Sequence, residues 1–325
     1  MSTPRSWTST PPAGGTSVQD RVVIALGGNA MTAPDGRAAP EDQIAALTRA
    51  ADKIAEVVET GTHVLVTHGN GPQVGNLLVK NELAASVVPP VPLDWCGAQT
   101  QGTIGFILVN ALERRLAGPV AALVTRTRVD AADPGFTTPT KPIGRYLTAG
   151  EAKIMVEHGQ VWRDRGVRGW RRVVASPEPL DVLDAPAMTA LLAAGYVVIA
   201  AGGGGIPVVR EPDGALRGVE AVIDKDLAAA LLARTIGARL LVLATDVEAA
   251  ALGWGTDRER SLGAVSTEEL RGHARDGAFA SGSMGPKVEA ACRFVEAGGE
   301  RAVITSLDRI ADAVAGRAGT VVTER

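Results

Sequence analysis

Arg21-Val-Val-Ile-Ala-Leu-Gly-Gly-Asn29 is a short apolar run that ends in two glycines and an asparagine. Such a run, closed by turn residues, predicts a buried strand that leads into a tight loop. Residues 41–60 then repeat apolar side chains at helical spacing and stop at Gly61, which predicts a helix. The next apolar run, residues 63–67, leads into His68-Gly-Asn-Gly71. The order strand, helix, strand is therefore predicted, with a glycine loop after each strand.

The same alternation of strands and helices continues to the end of the chain. Pro72 suits the first turn of a helix, where a proline needs no backbone N–H partner. Further helices are predicted at residues 97–117, 187–194, 225–236 and 286–297, and further strands at 120–125, 197–200, 240–244, 302–305 and 320–323. Strands that alternate with helices predict a mainly parallel sheet covered by helices on both faces.

Two segments interrupt this alternation. Residues 134–180 contain five prolines, Trp162 and Trp170, and they are interpreted as an inserted, lid-like subdomain. Residues 208–222 are broken by Pro212-Asp-Gly214, and Asp-Gly is a hairpin turn signal. Residues 1–20 are rich in Ser, Thr, Pro and Gly and are predicted to be a disordered tail, so that residues 21–325 form one domain that carries the insert.

Composition excludes several classes of protein. The 33 basic residues nearly balance 36 acidic ones, a net charge of -3, which argues against a nucleic-acid binder. Two cysteines cannot build a disulfide framework or a zinc site on their own. The first twenty residues lack the apolar core of a signal peptide, and the longest uncharged stretch, residues 185–209, is interrupted by glycines and Pro207. We therefore expect a cytoplasmic protein without a membrane segment.

Lysine is rare, and three lysines have unusual neighbours. Only six of the 33 basic residues are lysines, which either reflects a coding bias or marks positions where a compact ammonium group is required. Lys141 lies between two prolines in Pro139-Thr-Lys-Pro142, Lys225 lies between two aspartates, and Lys287 follows Gly285-Pro286. Lys225 and Lys287 begin predicted helices, where the helix dipole disfavours a cation unless an anion is nearby. The alternative for Lys225 is a surface residue beside a capping aspartate.

Four glycine-bearing loops follow predicted strands or precede a helix. They are Gly27-Gly-Asn29, Gly69-Asn-Gly71, Gly202-Gly-Gly-Gly205 and Ser281-Gly-Ser-Met-Gly-Pro-Lys287. Ligands of open α/β sheets bind at the carboxyl ends of the strands, and glycine lets backbone N–H groups approach an anion. Taken singly, each loop could be an ordinary sharp turn. Together they predict an anion site, and we expect the anion to be a phosphate.

Standard nucleotide motifs are absent. Pro207 breaks a G-x-G-x-x-G pattern, and Pro286 and Val288 break a P-loop around Lys287. Phosphoryl transfer instead needs cations placed around the transferring oxygens, a role that the three lysines suit. Asp246, at the end of a strand, is a candidate for nucleotide or helix-cap contacts, and His68 is either a general base or a structural hydrogen-bonding residue. No metal-ligand spacing exists, so any Mg²⁺ is expected to be held mainly by phosphates.

The motifs as a set resemble those of carbamate kinases, within the amino acid kinase superfamily. The matching segments are Ala25-Leu-Gly-Gly-Asn-Ala30, His68-Gly-Asn-Gly-Pro-Gln-Val-Gly75, Gln101-Gly, Pro139-Thr-Lys-Pro-Ile-Gly144, Gly169-Trp-Arg-Arg-Val-Val174, Gly202-Gly-Gly-Gly-Ile-Pro207, Gly218-Val-Glu-Ala-Val-Ile-Asp-Lys-Asp226, Thr245-Asp-Val247 and Gly282-Ser-Met-Gly-Pro-Lys-Val-Glu-Ala290. The Thr-Lys-Pro and Gly-Trp-Arg-Arg motifs distinguish carbamate kinases from the other members of the superfamily.

The resemblance implies a three-layer α/β/α fold, a homodimer, and reversible phosphoryl transfer between ATP and carbamate that gives ADP and carbamoyl phosphate, often in arginine fermentation. Small-molecule substrates are then the partners. The implied catalytic residues are Lys141, Lys225, Lys287 and Asp226. The implied substrate-binding residues are Gly27, Gly28, Asn29, Gly69, Asn70 and Gly71. The implied nucleotide-binding residues are Gly203, Gly204, Thr245, Asp246, Val247, Met284 and Gly285.

The sequence departs from the family pattern near the expected adenine site. Residues 248–254 read Glu-Ala-Ala-Ala-Leu-Gly-Trp, where the family usually has an aromatic-containing segment nearer the nucleotide. Arg126 replaces a usual glutamine, and Trp95 is bulkier than usual. Two alternatives therefore stay open: a kinase of another small carboxylate or phosphate, and a nucleotide-binding regulatory protein that has lost activity.

Overall fold

A computed structural model describes residues 20–28, 39–279 and 284–325. The α-helices in these residues are α1 Pro40–Val58, α2 Gly71–Ala84, α3 Leu93–Glu113, α4 Ala149–Glu157, α5 Ala185–Ala193, α6 Lys225–Thr235, α7 Thr267–Arg275, α8 Met284–Glu296 and α9 Ile310–Val314. The strands are β1 Arg21–Leu26, β2 His63–His68, β3 Val120–Ala122, β4 Arg126–Arg128, β5 Lys141–Leu147, β6 Val161–Asp164, β7 Trp170–Val174, β8 Asp181–Val182, β9 Val197–Ile199, β10 Ile206–Arg210, β11 Leu216–Gly218, β12 Leu240–Thr245, β13 Ala251–Leu252, β14 Arg260–Ser261, β15 Ala264–Ser266, β16 Arg301–Ser306 and β17 Thr320–Thr323.

The largest sheet among the described residues has eight strands in the order β15-β17-β16-β12-β1-β2-β9-β3. From β16 to β3 every neighbouring pair is parallel, whereas β17 runs antiparallel to β16 and β15 runs parallel to β17. Parallel neighbours need crossover connections, which the helices supply. The prediction of a mainly parallel sheet is confirmed.

Each face of this sheet packs against helices, so the fold has three layers. In β1, Val22, Ile24 and Leu26 face one core, shared with α1, α3 and α9. Val23 and Ala25 face the opposite core, shared with α5, α6 and α8. A strand buried on both faces is typical of a parallel sheet covered by helices, which explains why β1 is apolar throughout rather than alternating. The predicted α/β class and three-layer arrangement are confirmed.

The segment predicted as an insert contains a separate three-stranded antiparallel sheet in the order β5-β7-β6. Helix α4 covers part of this sheet, and Leu147, Ala152 and Trp162 form a small core between them. Helix α4 begins with a capping box in which Thr148 and Glu151 satisfy each other's backbone N–H groups. The other end of the sheet contributes Ile143 and Val174 to a cluster with α2 and the start of α3.

Two local predictions had different outcomes. The hairpin expected within residues 208–222 is present as β10 and β11, which pair antiparallel. The strand expected over residues 120–125 is shorter, because β3 ends at Ala122 and the chain then enters a second sheet as β4.

Residues 1–19 of the predicted tail lie outside the described residues. Within the described ranges, no helix combines the length and apolarity needed to cross a bilayer.

Candidate functional site

Four adjacent strands end at the same edge of the main sheet. The neighbours β12, β1, β2 and β9 are parallel, so their carboxyl ends lie side by side. The segments that follow are residues 245–247, 27–28, 69–71 and 202–204. The strand order therefore brings together three of the predicted glycine loops and the predicted nucleotide-binding residues Thr245, Asp246 and Val247. Asn29 and the glycine-bearing segment at residues 281–283 lie outside the described residues.

The glycines of these loops allow very close contacts between neighbouring loops. A Cβ atom on Gly69 would lie 2.8 Å from the backbone nitrogen of Gly28. A Cβ atom on Gly203, whose φ is +66°, would lie 2.2 Å from Asn70 Nδ2. Asn70 in turn donates a hydrogen bond to Thr100 Oγ1 at 2.9 Å. At Gly69 a side chain would meet backbone atoms and separate the two loops, and at Gly203 the positive φ favours glycine.

Buried polar side chains hold the loop at residues 202–204 in place. Gln101 Nε2 donates to Gly202 O at 2.9 Å, and Thr127 Oγ1 donates to Gly204 O at 2.8 Å. Thr67 Oγ1 donates to the carbonyl of Ala201, which adopts a left-handed φ of 52°. Backbone strain in a non-glycine residue is typical of functional sites, where the surroundings enforce it. No role was predicted for these three side chains from the sequence, although Gln101-Gly lies in a family-like motif.

A buried carboxylate joins two of the predicted lysines. Asp226 Oδ1 lies 2.5 Å from Lys225 Nζ, and Asp226 Oδ2 lies 3.2 Å from Lys287 Nζ. The side chains of Asp226, Lys225 and Lys287 are 6%, 12% and 9% exposed, respectively. Two ammonium groups on one carboxylate leave a net positive charge shielded from water. Such a cluster attracts an anion more strongly than the same charges would in solvent.

Burial and mutual charge shift the pKa values of this cluster. Burial alone would raise the pKa of the Asp226 carboxyl, but Lys225 and Lys287 outweigh it and hold that pKa below its usual value. Burial lowers the pKa of the Lys225 ammonium, and Lys287 acts in the same direction against the opposing effect of Asp226. An incoming anion would offset both effects on Lys225.

The lysine cluster lies against the glycine loops. A Cβ atom on Gly69 would lie 3.3 Å from Lys225 Cδ, so the aliphatic part of this lysine covers the Gly28–Gly69 contact. The third predicted lysine, Lys141 at the start of β5, reaches Asp224 Oδ2 at 2.6 Å. Asp224 immediately precedes Lys225. The structure thus places all three predicted lysines and Asp226 around the first turn of α6, although they come from three distant parts of the sequence.

The predicted nucleotide-binding residues lie at three places: the end of β12, the start of α8 and the loop after β9. Thr245 ends β12 beside Gly27, and its hydroxyl donates to Asp246 Oδ1 at 3.0 Å. Met284 and Gly285 begin α8, less than one turn before Lys287. Gly203 and Gly204 lie in the loop after β9. Helix α8 also contacts β12, so Met284, Gly285 and Thr245 lie on neighbouring elements.

His68 is a fully buried neighbour of the cluster. Its Nδ1 lies 2.8 Å from Gly69 O, and a Cβ atom on Gly202 would collide with its ring. Burial lowers the pKa of His68 from 6.5 to about 4, the Gly69 hydrogen bond opposes this shift, and Lys225 adds to it. His68 is therefore a neutral imidazole at neutral pH. Of the two roles left open for His68, this geometry favours the structural hydrogen-bonding one.

His68 also makes the stability of the protein depend on pH. Between pH 6.5 and 4 the unfolded chain binds a proton at this histidine and the folded chain does not, so stability falls as the pH falls. From pH 7.5 to 5, we expect the wild type to lose about 2 kcal/mol more unfolding free energy than the His68→Asn variant. Denaturant unfolding of both proteins at the two pH values measures this difference. Equal losses would contradict the assignment of a neutral buried histidine.

A single methyl group at Gly69 is expected to damage the site. In Gly69→Ala the new Cβ meets backbone atoms of Gly28, which cannot rotate away. Because the two loops must separate, we expect kcat/KM to fall by about 10²-fold, the scale for misplacing groups at a reacting centre. Gly102→Ala is the matched control, since Gly102 lies in α3 and its Cβ would have no neighbour within 4 Å. A Gly69→Ala enzyme as active as this control would contradict the prediction.

Known proteins resemble this chain over most of its length. The sequence profile of the amino acid kinase family matches residues 20–306. The chain belongs to the amino acid kinase family. It is 47% identical to the carbamate kinase of Thermococcus kodakarensis, across 93% of this chain and 98% of that protein. It is 43% identical to carbamate kinase 1 of Enterococcus faecium, across 94% of this chain and 99% of that protein.

A solved structure shows the same likeness over nearly the whole chain. The carbamate kinase of Giardia lamblia bound to AMP-PNP superimposes with a TM-score of 0.88 at 41% sequence identity. The match covers 95% of this chain and 99% of that one. The resemblance to carbamate kinases predicted from the motifs is confirmed.

Proposed function

We propose that this protein is a carbamate kinase, which transfers a phosphoryl group reversibly between ATP and carbamate and forms ADP and carbamoyl phosphate. The observation that carries this proposal is the pair of buried lysines on Asp226, one of which, Lys225, lies against the contact between Gly28 and Gly69. The extended likeness to carbamate kinases supports the same reaction. The enzyme is then an ATP-dependent phosphotransferase with a carboxyl-type acceptor.

The proposed mechanism relies on position and charge. The loops that contain Gly27, Gly28, Gly69, Asn70 and Gly71, together with Asn29, bind carbamate and the transferring phosphoryl group. The backbone N–H groups that contact the ligand are those of Gly28 and Gly71, because the N–H groups of Gly27 and Gly69 donate within the sheet to Ala244 O and Leu26 O. Negative charge on the phosphoryl oxygens is neutralised by Lys225 and Lys287, and by Lys141 from the insert. Asp226 keeps two of these ammonium groups at fixed positions. The acceptor is already an anion, so the reaction needs no general base, and the lowered pKa of His68 makes that histidine a weak base.

The nucleotide is proposed to bind between the loop after β12 and the start of α8. Thr245, Asp246, Val247, Met284 and Gly285 would line this site, whereas Gly203 and Gly204, in the loop after β9, lie three strands away from β12 in the sheet. We infer that Mg²⁺ arrives with the nucleotide and is held mainly by phosphates. Asp224 and Asp226 fit this assignment, because their carboxylates are already paired with ammonium groups and no group of three potential metal ligands occurs among the described residues.

We also propose a homodimer in the cytoplasm. Phe106 on α3 and Val124 after the edge strand β3 are 65% and 62% exposed, and an unpaired edge strand flanked by apolar side chains needs a partner. The cytoplasmic location follows from the use of ATP. A role in arginine metabolism rests on the resemblance alone.

The deciding experiment is an ATP-formation assay with purified protein, ADP and carbamoyl phosphate. We expect turnover with carbamoyl phosphate and little with acetyl phosphate. The reverse preference would favour a kinase of another small carboxylate. Binding of ADP without any turnover would favour the regulatory alternative. That alternative is motivated by the departure from the family pattern at residues 248–254, a segment in which Trp254 is 63% exposed.

A further inference from the structure

Asp224 serves two different parts of the molecule at once. Its Oδ1 accepts hydrogen bonds from the backbone N–H groups of Asp226 at 2.9 Å and Leu227 at 3.3 Å, which caps α6. Its Oδ2 accepts from Lys141 Nζ at 2.6 Å. The Asp224 side chain is 13% exposed and that of Lys141 is 35% exposed, so the carboxylate is largely withdrawn from solvent and the lysine is only partly covered. The helix cap and the contact with β5 therefore depend on a single carboxylate.

This contact is accompanied by other polar connections between the insert and the residues just before α6. Arg172 on β7 lies 3.9 Å from Glu220, and the Val222 backbone N–H donates to Ala175 O, just after β7, at 3.0 Å. Apolar contacts of Ile143 and Val174 complete the attachment, on α2 and the start of α3 rather than on α6. The Lys141–Asp224 pair is thus the side-chain contact that sets the distance between the Lys141 ammonium and the first turn of α6.

The pairing has a consequence for ligand binding. Lys141 has three donor hydrogens and shares them with a carboxylate that lies beside the other two lysines. A phosphorylated ligand bound at the glycine loops presents more negative charge to Lys141 than Asp224 does. The same ammonium can therefore pass from Asp224 to a phosphorylated ligand bound beside the first turn of α6.

We infer that Asp224 is a positioning residue, which holds Lys141 and strand β5 beside the start of α6 and releases the ammonium to the phosphorylated substrate. This inference rests on the proposed phosphotransferase activity. It differs from a capping role alone, because a cap needs only an oxygen acceptor, whereas positioning Lys141 needs the negative charge.

Asp224→Asn separates the two roles, since asparagine caps helices as well as aspartate does. We expect kcat to fall by roughly 10- to 10²-fold, the scale for misplacing a catalytic group, with little change in the KM for ADP. Asp213→Asn is the matched control, because Asp213 Oδ1 also accepts a backbone N–H bond, from Ala215, at an exposed turn away from the site. Unchanged kcat in Asp224→Asn would overturn the inference.

A double-mutant cycle tests whether Asp224 acts through Lys141. In a Lys141→Met background, Asp224→Asn is expected to lower kcat by less than about twofold, because the group that it positions is already gone. An equal loss of kcat with and without Lys141 would show that Asp224 acts by another route.

Hydrogen exchange gives a readout that does not depend on activity. In the ligand-free protein, peptides that span Lys141–Leu147 are expected to exchange faster in Asp224→Asn than in the wild type or Asp213→Asn, while peptides of α6 keep their rates. Equal exchange of β5 in all three proteins would overturn the inference. If the wild type lacks turnover but β5 responds in this way, the proposed function fails and the role of Asp224 in holding β5 stands.

Discussion

Asp226→Asn is expected to lower kcat by about 10³-fold, because the variant keeps the shape of the side chain and removes the charge that holds Lys225 and Lys287. Both ammonium groups are buried, and an amide offers one of them a donor instead of an acceptor. Without the carboxylate, the pKa of Lys225 falls further, so the residual activity should have its optimum at lower pH than the wild type. Steady-state kinetics across pH measure both effects.

Loss of folding would imitate loss of catalysis in this variant. Removing one partner of a buried ion pair costs about 3–5 kcal/mol, so circular dichroism and ADP binding must accompany the kinetics. Asp226→Glu retains the charge and displaces it, and we expect a smaller loss of kcat, about 10-fold. The exposed Asp276 at the end of α7 provides the control substitution Asp276→Asn. A folded Asp226→Asn protein with kcat close to that of the wild type would contradict the proposed role.

Lys287→Arg is expected to lower kcat by about 10²-fold or more although it preserves the positive charge. Lys287 is 9% exposed and its ammonium lies 3.2 Å from Asp226 Oδ2 in the first turn of α8. A planar guanidinium is larger and spreads its donors over a fork, so it cannot occupy the same point between the carboxylate and a phosphoryl group. The measurement is kcat for ATP formation under saturating substrates.

Lys153→Arg is the matched control for this substitution, because Lys153 is exposed on α4 and the change is chemically identical. We expect the control to retain wild-type kcat. If Lys287→Arg also retains it, Lys287 is a structural partner of Asp226 rather than a group that contacts the transferring phosphoryl.

Local patterns were sufficient to predict most secondary structure. Apolar runs of about six residues that end in glycine became β1 and β2, and helical spacing followed by Gly61 became α1, within two residues of its predicted ends. These signals are local, because strand burial and helix periodicity depend on neighbours a few residues away. The strand predicted at residues 120–125 was too long, because the point at which the chain leaves one sheet for another has no local signal.

The candidate site was predicted only in part, because local sequence patterns do not show which distant residues come together. The unusual neighbours of Lys141, Lys225 and Lys287 marked them as special, and the glycine loops indicated an anion. Their pairing could not be predicted from the sequence: Lys287 meets Asp226 across 61 residues, and Lys141 meets Asp224 across 83. Gln101 was overlooked because a buried glutamine that supports a distant loop looks like any polar helix residue until the loop is placed beside it.

The sequence by itself therefore determined the parallel α/β architecture, the glycines at the strand ends and the three scarce lysines. Tertiary structure decided the strand order β12-β1-β2-β9, which brings three glycine loops and Thr245 to one edge. It also decided that Asp226 carries two ammonium groups while Asp224 carries the third. The physical reason is that periodicity and turn chemistry act between near neighbours, whereas strand order and buried ion pairs depend on contacts between residues far apart in the chain.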